Sequence, residues 1–218
     1  MKLVVGVSGA SGAPYARRLL DFLAAEGPRH GIEVDLVFSE TGRQVWMQEI
    51  GAAPSYPFPV WKPRDFAAPF SSGSARGYEA MVVIPCSAGA LSRIAYGISV
   101  DLIGRAADVM LKERRKLVLV LRETPVSLVH ARAMAQVIEA GAFVMPASPS
   151  AFFTSSSLNG LMIASIFFIG YLPLPRTPLQ GCLPGAEVRI RFHGDLVMVE
   201  ADRLDLLVDP HPDDEVDK

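Results

Sequence analysis

Three short stretches of this sequence put small or hydroxyl-bearing residues directly after apolar, β-branched runs. They are Ser8-Gly9-Ala10-Ser11-Gly12-Ala13, Ser39, and Pro85-Cys86-Ser87-Ala88-Gly89-Ala90-Leu91-Ser92. Small residues let backbone N–H groups approach an anion, and a helix starting there adds the positive end of its dipole. Ser11 adds a hydroxyl donor. A fourth stretch, Arg122-Glu123-Thr124-Pro125, puts a guanidinium at a strand tip, where it can pair with phosphate or donate to a ring carbonyl. Two carboxylates, Glu49 and Glu139, are the candidates for acid/base work, which needs a carboxyl tuned by its surroundings. Each feature also has a plainer reading. A Gly/Ala/Ser turn can serve packing alone, Ser39 can cap a helix, Arg122 can pair with Glu123, and most glutamates solvate a helix face. The glycine stretch matches neither a Walker A loop nor the GxGxxG dinucleotide fingerprint.

The elements that must position these residues are legible as an alternation. Lys2 to Ser8 reads as a strand, Tyr15 to Ala25 as a helix, and Glu33 to Ser39 as a second strand, so the chain opens with a βαβ unit and a right-handed crossover. Thr41 to Ile50 reads as a short helix carrying Glu49. Gly51 to Ser74 reads as a long loop, a feature compact domains usually keep for function. Ala80 to Pro85 is a third strand. Ala90 to Lys112 is helical with a break near Gly97. Leu117 to Leu121 is a fourth strand, Leu128 to Ala140 a helix, and Ala142 to Met145 a fifth strand. The alternation predicts an α/β fold, a three-layer sandwich around a mainly parallel sheet buried on both faces. The pattern changes after Pro146. An apolar run, Leu161 to Leu172, is too short to span a bilayer and reads as a buried or interface helix. Glu187 to Phe192 and Leu196 to Glu200 read as a hairpin, and Asp209 to Lys218 as an acidic end. The expected organisation is one domain over 1–178 and a tail over 179–218.

Length and composition narrow the function. The 218 residues suit one α/β domain with a buried sheet. A net charge of −2 gives no general attraction to nucleic acid or acidic membranes, so an anionic ligand must be held by local geometry. The two cysteines, Cys86 and Cys182, form no paired motif, and no metal-ligand spacing is present, so no metal is expected. The N-terminus lacks the long apolar region of a signal peptide, and the expected compartment is cytoplasmic.

Taken together, the stretches VVGVSGASGAPYARRLL, SETGRQVWMQE, SSGSARGYEAMVVIPCSAGALS and GRAADVMLKERRKLVLVLRETPVSLVHARAM, then EAGAFVMP, closely resemble the UbiX family of flavin prenyltransferases. They cover about two-thirds of the chain, and the AADV-LKERR-L-L-RETP string is highly specific. The resemblance implies a flavodoxin-like (Rossmann-like) subunit that binds FMN, usually in a dodecamer. It implies transfer of a dimethylallyl group from dimethylallyl monophosphate to reduced FMN, giving prenylated FMN for UbiD-type decarboxylases. By motif match, Gly9, Ala10 and Ser11 would hold the phosphate region of FMN. Ser39, Ser87, Ala90 and Arg122 would contact the nucleotide, and Glu49 and Glu139 would assist proton transfer and phosphate departure. The sequence departs from the family after about Ser150. Phe152 and Phe168 stand where the family has a tyrosine and an arginine for the prenyl phosphate, and Gly89 and Ala90 replace a lysine and a threonine. Arg43, Arg105 and Lys112 are candidate replacements for the lost phosphate ligands. A flavin-binding paralogue without prenyl transfer (a reductase, a cysteine-decarboxylase-like enzyme or a non-catalytic subunit) is the alternative.

Overall fold

The computed structural model describes residues 1–147 throughout and, beyond them, the backbone of two strands, 187–193 and 196–202. The expectations for Phe152, Phe168, Cys182 and the apolar run Leu161 to Leu172 lie outside the described residues. The chain divides into two compact units, Met1–Pro175 and Arg176–Lys218.

In the first unit, apolar β-branched runs form β1 (Lys2–Val7), β2 (Glu33–Phe38), β4 (Tyr78–Cys86), β5 (Lys116–Leu121) and β6 (Phe143–Pro146), joined at the edge by the short β3 (Val60–Trp61). The sheet order is β3-β2-β1-β4-β5-β6, with every neighbouring pair parallel. Without β3, the five longer strands follow the flavodoxin order. Side chains alternate between the faces, as the two-residue strand period requires. Leu3, Val5 and Val7 pack under α1 (Ala13–Glu26) and α2 (Glu40–Ile50). Val4, Met81, Val83 and Leu119 pack under α3 (Ala88–Ala95), α4 (Leu102–Lys112) and α5 (Leu128–Glu139). The three-layer α/β expectation holds.

The structure differs from the sequence reading in one place. The expected loop Gly51 to Ser74 contains β3 and is a packed structural element. Trp61 Nε1 donates to Asp35 Oδ1 at 2.6 Å, and the Tyr78 hydroxyl donates to Asp35 Oδ2 at 2.9 Å. Both oxygens of this buried carboxylate are therefore satisfied, and they pin the edge strand to β2. Arg105 Nε donates to the Ser71 carbonyl at 2.9 Å and an Arg115 Nη to the Gly73 carbonyl at 2.8 Å, while Phe70 is fully buried. The helical stretch after Ser87 separates into α3 and α4 at the break expected near Gly97. Gly97 takes a left-handed φ of 66° after α3, and Asp101 restarts the helix by accepting from the Gly104 N–H at 2.8 Å.

In the second unit, β7 (Glu187–His193) pairs antiparallel with β8 (Leu196–Asp202), the closing pair being His193 and Leu196. This is the hairpin read from the sequence.

Three protons are held tightly by the first unit. Burial raises Tyr78 and Tyr56 above their ordinary value, helped by hydrogen bonds to Asp35 and Asp21 respectively. Burial pushes the Cys86 thiol up to about 12. In each case the unfolded chain gives up its proton at lower pH than the native one. The associated stability is complete below the unfolded values, about 9 for Cys and 10 for Tyr, and is lost as pH rises through the folded ones. The urea midpoint is expected to fall progressively above about pH 9–10, and Tyr78→Phe to make that fall shallower.

Candidate functional site

Because all six strands run the same way, their carboxyl ends share one edge of the sheet. The loops into α1, α2, α3 and α5 collect there. Between β1 and β4 the topology switches direction: the chain leaves β1 toward β2, and leaves β4 toward β5. That crevice is where open α/β sheets hold ligands.

Ser8 joins the two sides of the switch point. Its N–H and its hydroxyl both donate to the Pro85 carbonyl, at 3.2 and 2.9 Å, and its Oγ accepts from the Ser87 N–H at 2.8 Å. Ser8 is 3% exposed and acts as the joint of the site. The sequence showed it only as the first residue of a loop; its partners lie 77 and 79 positions away.

Ser39 and Ser87 are both helix caps. Ser39 Oγ accepts from the Gly42 N–H at 2.9 Å at the start of α2, and Ser87 Oγ accepts from the Ala90 N–H at 3.1 Å at the start of α3. Capping uses a lone pair and leaves the hydroxyl proton for another acceptor. The cap and the ligand contact are therefore compatible roles. For Ser39, Thr41 Oγ1 is also in range, at 3.3 Å. Ala90 is buried beside this cap.

The glycine loop packs onto α2. A side chain at Gly9 would overlap Thr41, and Gly12 takes a φ of 107°, a left-handed conformation that favours glycine. Helix α1 has no side-chain cap of its own. Glu49, in the last turn of α2, supplies one: its Oε2 accepts from the N–H groups of Gly12 at 2.9 Å and Ala13 at 2.7 Å. The Ala10 N–H donates to the Ser8 carbonyl at 3.0 Å. The N–H groups of Gly9 and Ser11 have no partner among the described residues.

Arg122 is tied in by its backbone, donating to the Cys86 carbonyl at 2.9 Å. Its side chain passes Gly12, with Cγ 3.8 Å from where a Cβ on that glycine would sit. It does not pair with Glu123, whose carboxylate accepts from the Thr124 N–H at 3.2 Å. The Cys86 thiol is fully buried and, with its raised pKa, stays protonated at neutral pH, so it is no nucleophile.

Four expected residues lie elsewhere or are already engaged. Glu139 is the exposed last residue of α5, which runs antiparallel to the strands for 12 residues, about 18 Å. It therefore ends at the opposite edge, and a single chain does not bring it to Glu49. Arg105 is held by Ser71 and by Asp108 at 2.9 Å, and Lys112 pairs with its neighbour Glu113 at 2.7 Å, both half-exposed. Arg43, in the first turn of α2, lies over the Phe38 ring at 5.6 Å and stays near the edge. A recess opens beside the switch point, lined by Ser8, Ser39, Ala90, Arg93, Ile94, Asp101, Ile103 and Gly104. Arg93 and Asp101 carried no signal in the sequence reading. Among the described residues, no group of three or more His, Cys, Asp or Glu side chains could hold a metal ion, and no helix is long and apolar enough to cross a membrane.

The Flavoprotein family profile matches residues 1–157. The flavin prenyltransferase UbiX of Thauera aromatica is 41% identical over 170 residues, covering 76% of this chain and 85% of that one. Among solved structures, a dodecameric FMN-dependent UbiX-like decarboxylase from Escherichia coli O157:H7 superposes with a TM-score of 0.70 at 36% identity, covering 83% of this chain and 100% of that one. AnUbiX in complex with FMN and dimethylallyl pyrophosphate gives a TM-score of 0.65 at 36% identity, covering 76% of this chain and 89% of that one. The glycine loop, the two capping serines and the strand-tip arginine thus stand in a fold shared with these proteins, and the chain belongs to the UbiX family of flavin prenyltransferases.

Proposed function

We propose that this protein transfers a dimethylallyl group from dimethylallyl monophosphate to reduced FMN. One observation carries the reading: backbone donors, two capping serines, Arg122 and Glu49 all gather at the carboxyl edge around the switch point. The donor set suits FMN. The N–H groups of Gly9 and Ser11 and the hydroxyls of Ser11, Ser39 and Ser87 are hydrogen-bond donors for phosphate and ribityl oxygens. The Arg122 guanidinium suits a phosphate or a ring carbonyl. Ala90, small and buried, leaves room for the nucleotide.

FMN is a substrate here. Reduced FMN supplies the nucleophilic N5; a C–N bond forms to the dimethylallyl group, its C–O bond to phosphate breaks, and phosphate leaves with the electron pair. Closure follows by addition across the dimethylallyl double bond: its CH carbon gains a proton, the dimethyl carbon bonds to C6, and C6 gives up its own proton to complete the ring. The protein's part is to align the two reactants and to move protons. Glu49 stands at the edge to exchange one. Glu139 belongs to the site only if a neighbouring copy supplies it, and the dodecameric relative supports such an assembly. The product would serve a UbiD-type decarboxylase.

The test is anaerobic incubation of the purified protein with FMN, dithionite and dimethylallyl monophosphate, then mass spectrometry of the released flavin. A flavin heavier by one dimethylallyl unit is expected. Unmodified FMN from a protein that binds it tightly would sink the reading and leave an FMN-binding paralogue.

A further inference from the structure

We propose that Arg93 is the cation that receives a phosphate monoester at the mouth of the recess beside the switch point, filling the place a side chain on residue 89 would take. Residues 89 and 93 are one turn apart on the same face of α3. The Arg93 Nη1 lies 3.5 Å from where a Cβ on Gly89 would be. The guanidinium therefore folds back over the glycine, and Arg93 helps line the recess with Ser8, Ser39, Asp101 and Gly104.

Arg93 is half-buried and has no carboxylate within ion-pair distance among the described residues. A partly dehydrated guanidinium without a counter-charge is unfavourable and favours binding an anion. Asp101 shares the recess, but it caps α4 by accepting from the Gly104 N–H at 2.8 Å and lies beyond ion-pair distance of Arg93. The first turns of α2 and α4 also meet there, through Ser39 and Gly104, and both present the positive ends of helix dipoles. A planar guanidinium beside helix N-termini and a capping hydroxyl suits a phosphate monoester. Two molecules could carry it, FMN and dimethylallyl monophosphate; the second rests on the prenyltransferase reading.

The experiment compares wild type, Arg93→Gln, Arg93→Lys and the double variant Gly89→Lys/Arg93→Gln. Dissociation constants for FMN and riboflavin are measured by fluorescence quenching, and KM and kcat for dimethylallyl monophosphate under anaerobic conditions. Riboflavin lacks the phosphate, so the ratio of the two constants isolates that contact. For Arg93→Gln, either the FMN-over-riboflavin preference falls or the prenyl-phosphate KM rises, by about tenfold or more, with riboflavin binding intact. Which arm moves identifies the source of the phosphate. Arg93→Lys retains part of the effect, and the double variant regains part, because a lysine at 89 starts beside the same spot. If Arg93→Gln moves neither arm, the proposal is overturned. If wild type binds FMN but makes no prenylated flavin, the functional reading fails, and the FMN-to-riboflavin ratio still decides the role of Arg93.

Discussion

Gly42→Ala is expected to destabilise the protein by about 2–4 kcal/mol and to weaken FMN binding more than tenfold. Gly42 lies in the first turn of α2, pressed against the end of β1. A Cβ there would overlap the Val7 carbonyl oxygen and sit 3.0 Å from both the Val7 carbonyl carbon and Ser39 Oγ. The obstacle is backbone, so no rotamer change relieves it, and α2 must lift from the sheet. Lifting strains the Ser39 N–H bond to the Val7 carbonyl at 2.9 Å and the Gly42 N–H bond to Ser39 at 2.9 Å. It also loosens Trp46, which is buried against Phe38 with ring centroids 5.4 Å apart. Overpacking costs about 1–3 kcal/mol and a lost serine cap about 1 more. For a chain of this size the melting point should fall by roughly 5–15 °C. Flavin titration then reads the second effect, because Ser39 moves with the helix. A variant with unchanged melting point and unchanged FMN affinity would mean that α2 does not need this contact.

Glu49→Ala and Glu49→Gln should both lower turnover by on the order of 10²–10⁴-fold, and they should differ in flavin binding. The carboxylate sits across the N-terminus of α1, accepting from Gly12 and Ala13. Glutamine keeps an acceptor oxygen for these groups but cannot take up or release a proton at neutral pH. Alanine removes both functions and leaves α1 without any side-chain cap. Glu49→Gln should therefore bind FMN nearly as wild type while losing transfer, and Glu49→Ala should bind it several-fold more weakly. The stability change is small, within about 1 kcal/mol, because Glu49 is exposed. Single-turnover measurement of prenylated flavin with parallel FMN titration separates the two roles. If Glu49→Gln turns over at the wild-type rate, Glu49 only positions the loop.

Much of the fold was legible because it rests on local patterns. Apolar runs marked the long strands of the first unit, ended by small residues at β1, β2 and β4, by Arg122 at β5 and by Pro146 at β6, and Gly97 marked the break between α3 and α4. The edge strand β3 was not legible: two residues carry no periodicity, and the bonds of Trp61 and Tyr78 to Asp35 cross 26 and 43 positions. The site was legible where it is a loop motif. Ser39 and Ser87 stood out in the sequence, and the structure shows both as helix caps at the carboxyl edge. Ser8 and the recess-lining Arg93 carried no signal, since one is held by partners across the sheet and the other lies on a helix face that looks ordinary in sequence. Glu139 shows the converse. A motif match fixes which residue is present, while helix direction and local hydrogen bonding decide where it points.

The joint made by Ser8 has a thermodynamic consequence. Its bonds to Pro85 and Ser87 close over 77 and 79 residues, so the edge proposed to receive the flavin exists only after β1 and β4 have paired. The opening β1-α1-β2-α2 segment contains the glycine loop, Ser39 and Glu49, yet it lacks half of the crevice. A ligand at this edge therefore has affinity for the completed sheet alone. By mass action it raises the population of that state over every partly assembled one, and the supply of FMN becomes a term in the protein's own folding equilibrium.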